Sequence, residues 1–493
     1  MSLALSIALV VGFTSVGLPD DPPPPPQAPS ALDLVTAFEA VMADAIARAE
    51  PSVVAIARDK MVNVEATSAV RGKNPQAIPG QGPGFRPGQI PFQFQDIQPQ
   101  EMLSFDFGSG VVIGPKGEIL TAFHVVKGAS RLLVRAEKGQ EFEAEVIAAD
   151  PRSDLAVIAP REGLGMRPRL TPIVLGDSTK LRKGSFLIAL GNPFNAARDG
   201  KASATFGILS NLSRRIDPQL SDQRQLRHYP TLLQLDSKLN LGMSGGAVVN
   251  LKGELVGLTT NAGNVSGFDA QAGYAMPLDR LGKRVIATLL EGKEVEYGFL
   301  GINLAQDLSN LVGGAPPGTP AAEGGLVIDD RIISVGGIKV TDSETLVAAV
   351  NTFTAGDEVK LEILRQGRPM TKTIVLAKFP TVGEIIATNR PKPWRGIRVD
   401  YLSMLPNGQF GATLLEAMAR GGVGIVEVTP GSPAEQAGLK PSQVIRAIGG
   451  VPIRTPSEFY KALEGKTGPV EFLTEGNRTV TVEEPEGAKK LDQ

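Results

Sequence analysis

Short apolar runs, each stopped by Gly, Pro, Asp or Asn, succeed one another through the middle of the chain. They read SGVVIG, EILTAFHVV, RLLVRA, FEAEVIAA, LAVIA, FLIALG, TFGILSNL, TLLQLD, AVV and ELVGLTT, all between residues 109 and 260. Runs this short, punctuated this often, suit antiparallel strands better than βαβ units. The expected fold class is mainly β, a sandwich or closed barrel. Flanking elements are predicted from other signals. SALD from Ser30 has the form of a helix cap, followed by Leu34, Val35, Phe38, Val41, Met42 and Ile46 at helical spacing and a stop near Pro51. SVVAIA (Ser52 to Ala57) is predicted as a strand, and Leu278 to Gly292 as a helix that closes the β-rich region. Residues 65–105 are rich in Gly, Pro and Gln without any period, and are expected to form a long mobile loop.

The first residues follow another logic. Ser2 to Leu18 is an uncharged apolar run, long for the core of an export signal, short for a spanning helix and without a basic start. It is read as a signal or a membrane anchor, with Asp20 to Ser30 as a stiff proline-rich spacer.

The C-terminal part contains a duplication. PGTPAAEGGLVIDDRIISVGG (Pro317 to Gly337) aligns with PGSPAEQAGLKPSQVIRAIGG (Pro430 to Gly450). Each copy has a helix-like run after it, SETLVAAV or PSEFYKAL, and a glycine-containing strand before it, FLGI or WRGIRV. Two copies of a module of about 90 residues fit better than a solenoid, which needs at least about three repeats. KFPTVGEIIATNRPKP between them reads as a linker.

Composition narrows the chemistry. With 50 basic and 52 acidic residues the formal net charge is -2, so no global field points to nucleic acid. There are no cysteines and only two histidines, His124 and His228. Thiol catalysis and cysteine-based zinc sites are excluded, no metal-ligand spacing occurs, and no cofactor is expected. LNLGMSGGAVVN (Leu239 to Asn250) places one serine, Ser244, among glycines at the mouth of a strand. A serine nucleophile needs a base, an acid that orients the base, and donors for the oxyanion. His124 ends an apolar strand, His228 lies in an arginine-rich stretch, and Asp154 abuts the run LAVIA. Taken singly, each also reads as an ordinary turn, cap or surface residue. Together, His124, Asp154 and Ser244 stand in one of the known chain orders of a serine triad, with separations of 30 and 90 residues.

These segments resemble the HtrA/Deg-type serine proteases, trypsin-like enzymes that carry PDZ modules. The matching stretches include FGSGVVIGPKGEILTAFHVVKGA, DPRSDLAVI, LQLDSKLNLGMSGGAVVNLKGELVGLTT and GYAMPLD. The resemblance implies a chymotrypsin-like double six-stranded β-barrel over residues 31–292, with PDZ (α+β) domains over 293–378 and 386–485. By it, His124 is the general base, Asp154 its orienting acid and Ser244 the nucleophile. The N–H groups of Gly242 and Ser244 would form the oxyanion hole, and Leu239 would line the primary substrate pocket. The peptide-binding loops of the modules would fall on Leu300, Gly301 and Ile302, and on Arg395, Gly396 and Ile397. It further implies unfolded or damaged protein substrates, peptide C-termini as module ligands, a homo-oligomer (a trimer or multiples of it) and an exported, periplasmic or cell-envelope location.

The chain also departs from that family's pattern. Met243 and Ala247 stand where the family usually has Asn and Pro, and Lys238 where it has a small residue. Met243 has no carboxylate to pair with a newly cut N-terminus, so ordering of surrounding loops is the expected switch. Ile328 to Asp330 and Pro441 to Gln443 replace the usual Pro-Gly-Asp turn of the modules. The alternative function is a catalytically silent peptide-binding scaffold or chaperone.

Overall fold

The computed structural model describes residues 29–60, 107–163, 168–193, 199–214, 231–260, 273–305, 309–380, 385–405 and 421–485. The apolar N-terminus, the proline-rich spacer up to residue 28, the glycine-rich stretch expected as a loop and His228 lie outside the described residues.

Helix α1 (Ala31–Ala49) begins where the cap signal places it. The Ser30 hydroxyl accepts from Asp33 N at 3.2 Å, and the Asp33 carboxylate accepts from Ser30 N at 2.9 Å. Its C-terminal half docks through buried Ala45 and Ala49. Its first turns behave differently from a core-facing helix: Leu32, Leu34, Val35 and Val41 stay exposed. The Phe38 ring packs on Phe186 and Phe206, 5.2 and 5.9 Å between centroids.

Six strands close the first barrel: β1 (Val53–Lys60), β2 (Phe107–Val112), β3 (Ile119–Ala122), β4 (Ala129–Ala136), β5 (Gln140–Asp150) and β6 (Leu155–Pro160). Their order is β5-β4-β1-β2-β3-β6, and β5 pairs back onto β6. A second closed barrel follows from β7 (Phe186–Gly191), β8 (Ser203–Arg214), β9 (Leu232–Leu235), β10 (Ala247–Val249), β11 (Leu255–Thr260) and β12 (Gly273–Pro277). Strands β2, β3, β10 and β11 are buried along nearly their whole length, which explains their mostly apolar runs, whereas β4 and β5 expose part of theirs. One segment of EILTAFHVV does not continue as strand: after β3 the chain coils into the single-turn helix α2 (Phe123–Val126). Helix α3 (Arg280–Leu290), capped by the Asp279 side chain, packs back against β5 and β6.

The duplicated modules each contain an antiparallel sheet and two helices. Their first helices, Pro320–Glu323 and Pro433–Gln436, start identically, with Thr319 or Ser432 as cap and proline in the first turn. Their second helices, Ser343–Asn351 and Pro456–Leu463, coincide with the two helix-like runs. At the altered Pro-Gly-Asp turns, Asp329 and Ser442 take left-handed φ values of 69° and 71°. The turn geometry is thus common to both copies although neither has glycine there. The stretch between the modules is more than a tether. Ile386–Ala387 pairs antiparallel with Ala148 and Ala149 of β5 and adds a seventh strand to the first sheet.

Candidate active site

The first barrel supplies the basic and acidic groups. After β3, Phe123 N donates to Asp154 O at 2.8 Å, which ties the start of α2 to the turn between β5 and β6. Asp154 occupies that turn with φ +57°, a left-handed conformation that aspartate tolerates better than most residues. Its carboxylate accepts from His124 N at 3.0 Å. It lies 2.8 and 3.1 Å from His124 Nδ1, and also accepts from the Thr260 hydroxyl at 3.2 Å. An ionised carboxylate only accepts, so Nδ1 carries the ring proton and Nε2 is left as the proton acceptor. The Asp154 side chain is 5 % exposed and that of His124 25 %: the acid is enclosed while the base still reaches solvent. Arg58, buried in β1, donates to His124 O at 3.0 Å and Lys127 O at 2.7 Å, and so pins both ends of α2 to the barrel.

The second barrel supplies the serine on a loop shaped by glycine. Gly242 and Gly245 have φ values of +90° and +82°. A Cβ on Gly242 would lie 2.5 Å from Asn192 O, and one on Gly245 2.2 Å from Ser109 O. Neither position has room for a side chain. Thr259 on β11 anchors the loop: its hydroxyl donates to Met243 O, and Gly246 N donates to that hydroxyl at 2.9 Å. Gly245 N donates to Thr259 O at 2.8 Å. Ser109 spans the two barrels. Its hydroxyl donates to Gly242 O at 2.7 Å and accepts from Asn192 N at 2.7 Å, and its own N–H donates to Ser244 O at 2.8 Å. Among the described residues, the N–H groups of Gly242 and Ser244 donate to no other group. That leaves two backbone donors for a developing oxyanion.

Gly108 shows how closely the two halves meet, since a Cβ there would touch Val125 of α2 at 2.6 Å and the Ser244 carbonyl at 3.2 Å. The Ser244 hydroxyl and the His124 ring are not joined by a hydrogen bond. Resting hydrogen bonds between nucleophile and base are often long and tighten once substrate is bound. Met243 turns into the second barrel, where it is buried with Leu187, Leu235 and Val248. Ala247 opens β10 and is fully buried. Leu239 is partly buried against that same core and against Gly273 of β12, while Lys238 is exposed.

The glycine loops of the two modules differ. In the first, Leu300, Gly301 and Ile302 line a cleft of about 140 Å³ with Phe299, Leu346 and Val350. Gly301 has φ +73°, and a Cβ there would strike Thr319 at 2.5 Å. In the second, Gly396 has φ +90° and the same close approach, to Ser432 at 2.2 Å. Its neighbours are occupied, however. Arg395, placed by the resemblance in the peptide-binding loop, donates to Gly468 O at 2.7 Å and Val482 O at 3.0 Å and stacks on Trp394. Ile397 N donates to Trp394 O at 2.8 Å. The Arg395 guanidinium is thus committed to backbone carbonyls.

Arg58, Ser109, Thr121, Thr259 and Thr260 are the site residues that sequence reasoning missed. Thr121 completes the frame by donating to Ser109 O at 2.6 Å. Their one common signal is a polar residue inside an otherwise apolar strand, as in FGSGVV, ILTA and LVGLTT.

With this geometry in place, the chain was compared with known proteins. A trypsin-like peptidase domain matches residues 108–258, and PDZ domains match residues 298–376 and 424–474. The chain is 30% identical over 404 residues to the periplasmic pH-dependent serine endoprotease DegQ of Escherichia coli (strain K12), covering 78% of this chain and 81% of that protein. It is 31% identical over 381 residues to the periplasmic serine endoprotease DegP of Salmonella typhimurium, covering 74% of each. Among solved structures, the HtrA-type protease AlgW with decapeptide shares 27% identity, with 69% of this chain and 99% of that chain covered and a TM-score of 0.48.

Proposed function

The chain belongs to the DegP/DegQ-type family of serine endoproteases, and we propose that it cuts peptide bonds with His124, Asp154 and Ser244 as its triad. His124 Nε2 takes the proton of the Ser244 hydroxyl as its oxygen attacks the scissile carbonyl. Asp154 holds Nδ1–H and stabilises the imidazolium that forms. The N–H groups of Gly242 and Ser244 receive the oxyanion. Collapse of the tetrahedral intermediate sends the proton from His124 to the leaving amine, and water then repeats the sequence to free the acyl group. The observation that carries this reading is the His124–Asp154 hydrogen bond at 2.8 Å, its carboxylate enclosed, beside a serine loop with two unspent N–H groups. Substrate closes the remaining gap between Ser244 and His124. Leu239 lines the pocket for the residue before the cut.

We assign residues 31–292 to the protease unit, and 293–378 and 386–485 to the two modules. Unfolded or damaged proteins are the proposed substrates. The first module takes peptide C-termini or extended segments by strand addition at Leu300, Gly301 and Ile302. We restrict this role to the first module, because Arg395 and the Ile397 N–H are already engaged in the second. The relatives named above are periplasmic proteins, and an exported, periplasmic or envelope location is proposed for this chain as well. Among the described residues no helix is long and apolar enough to cross a membrane. Self-association, as a trimer or a multiple of it, is proposed from the family resemblance, and the exposed Leu32, Leu34 and Val35 of α1 with the exposed rings of Phe186 and Phe206 offer apolar surface for it.

A fluorophosphonate probe, used on wild type and Ser244→Ala beside a casein digest, tests the central reading. Labelling and digestion should both vanish in the variant. Wild type that stays unlabelled in the presence of unfolded protein and C-terminal peptides would shift the assignment to a peptide-binding scaffold.

A further inference from the structure

The turn that carries Asp154 is bound to more of the molecule than any catalytic role requires. Asp150 closes it locally, accepting from Arg152 N at 3.3 Å and Ser153 N at 3.0 Å. Tyr297, near the start of the first module, is 2 % exposed and donates its hydroxyl to Asp150. The inter-module strand Ile386–Ala387 lies along Ala148 and Ala149, immediately before the turn. Arg152 occupies the centre of this junction. Its guanidinium carbon sits 4.1 Å from the centroid of the Tyr297 ring and 4.0 Å from that of Phe379. Phe379 directly follows the first module, and its N–H donates to Tyr297 O at 2.8 Å, which fixes the two rings together.

Arg152 is only 8 % exposed. All three of its side-chain nitrogens are buried, and none has a hydrogen-bond partner among the described residues. Burial lowers its pKa to about 10, against the opposing pull of Tyr297 and Asp150, so the side chain still carries its charge at neutral pH. An enclosed cation without hydrogen bonds is a costly choice where a methionine would fill the same space. Its compensation is the pair of aromatic faces and the nearby Asp150 charge. Both rings belong to segments outside the barrel. The guanidinium therefore fixes the turn against the first module and the start of the inter-module stretch, two residues before Asp154.

We propose that Arg152 is a positioning residue for proteolysis: clamped between Tyr297 and Phe379, it holds the Asp150–Asp154 turn so that the Asp154 carboxylate stays on His124. This rests on the reading of Asp154 as the orienting acid. The catalytic geometry of the first barrel then depends on a contact with chain from outside it.

The test uses the full chain as wild type, Arg152→Met, Arg152→Lys and Phe379→Leu, on a short peptide substrate, with competent sites counted by endpoint fluorophosphonate labelling. Arg152→Met should lower kcat per labelled site about tenfold or more while KM stays within twofold. Arg152→Lys, which keeps a cation on the rings, should recover most of that loss. Phe379→Leu removes one aromatic face and should lower kcat about threefold, which keeps the proposal testable should Arg152→Met fail to fold. A kcat per labelled site within twofold of wild type in Arg152→Met and Phe379→Leu would overturn the proposal, as would a lysine variant no better than methionine. Wild type that takes no label would instead sink the triad reading on which the proposal stands.

Discussion

The two barrels share strand count and closure, yet they present their functional groups by different means. The first works through side chains: the Asp154 carboxylate gathers His124 N, His124 Nδ1 and the Thr260 hydroxyl, while Arg58 grips the carbonyls of α2. The second works through backbone. Ser244 and the free N–H groups of Gly242 and Ser244 are set by the positive φ of Gly242 and Gly245 and by a threonine that bonds only main-chain atoms. A carboxylate–imidazole pair tolerates small backbone adjustments, because side-chain torsions can absorb them. Two backbone N–H groups, fixed by the loop's own dihedrals, have no such slack. The first barrel should therefore be sensitive to changes of charge and the second to changes of shape.

Substitutions of decreasing effect can break or sharpen this contrast. Asp154→Asn preserves shape but favours the wrong imidazole tautomer, and kcat should fall by about 10⁴ with the melting temperature nearly unchanged. Should Asp154→Asn instead melt well below wild type with kcat largely kept, the first barrel would be limited by packing and the contrast would fail. Gly242→Ala changes no charge, but its methyl has to displace Asn192 O or the Phe107 ring. A loss of about 10²–10³ in kcat is expected, the scale of a missing oxyanion donor, and stopped-assay kinetics would show it. Near-normal turnover in that variant would mean that the loop has slack after all. Thr260→Val removes one of the hydrogen bonds to Asp154, worth about 1–1.5 kcal/mol and hence about tenfold in kcat. An unchanged rate would make Thr260 a packing residue. Lys238→Ala should leave the cleavage-site profile of a peptide library unaltered, because the side chain is exposed beside the loop.

The two modules carry the same lesson about legibility. Their duplication, the Thr319 and Ser432 caps and the later helices could be read from spacing alone, because helix starts and turns depend on neighbours a few residues away. The fate of Arg395 could not. Its partners, Gly468 O and Val482 O, are 73 and 87 residues distant. Similar distances hid the supports of the candidate site: Arg58 meets a carbonyl 66 residues on, and Ser109 one that is 133 residues on. Helix α1 misleads in another way. Its apolar spacing suggests a core face, but only Ala45 and Ala49 near its end are fully buried, while Phe38, Met42 and Ile46 are half-buried and Leu34, Val35 and Val41 exposed.

By itself, the sequence determined the strand-rich class, the duplication, the helix caps and the identity of His124, Asp154 and Ser244 as candidates. Each of these follows from periodicity, turn chemistry or the short supply of bases in a chain with two histidines. Tertiary structure alone decided which carbonyls Arg58, Ser109 and Arg395 would find, that Met243 would become core, and that the inter-module segment would lie beside the turn of Asp154. The physical reason is range. Dihedral preference acts between neighbours in the chain, whereas a buried donor takes whichever acceptor the closed barrels bring within about 3 Å of it.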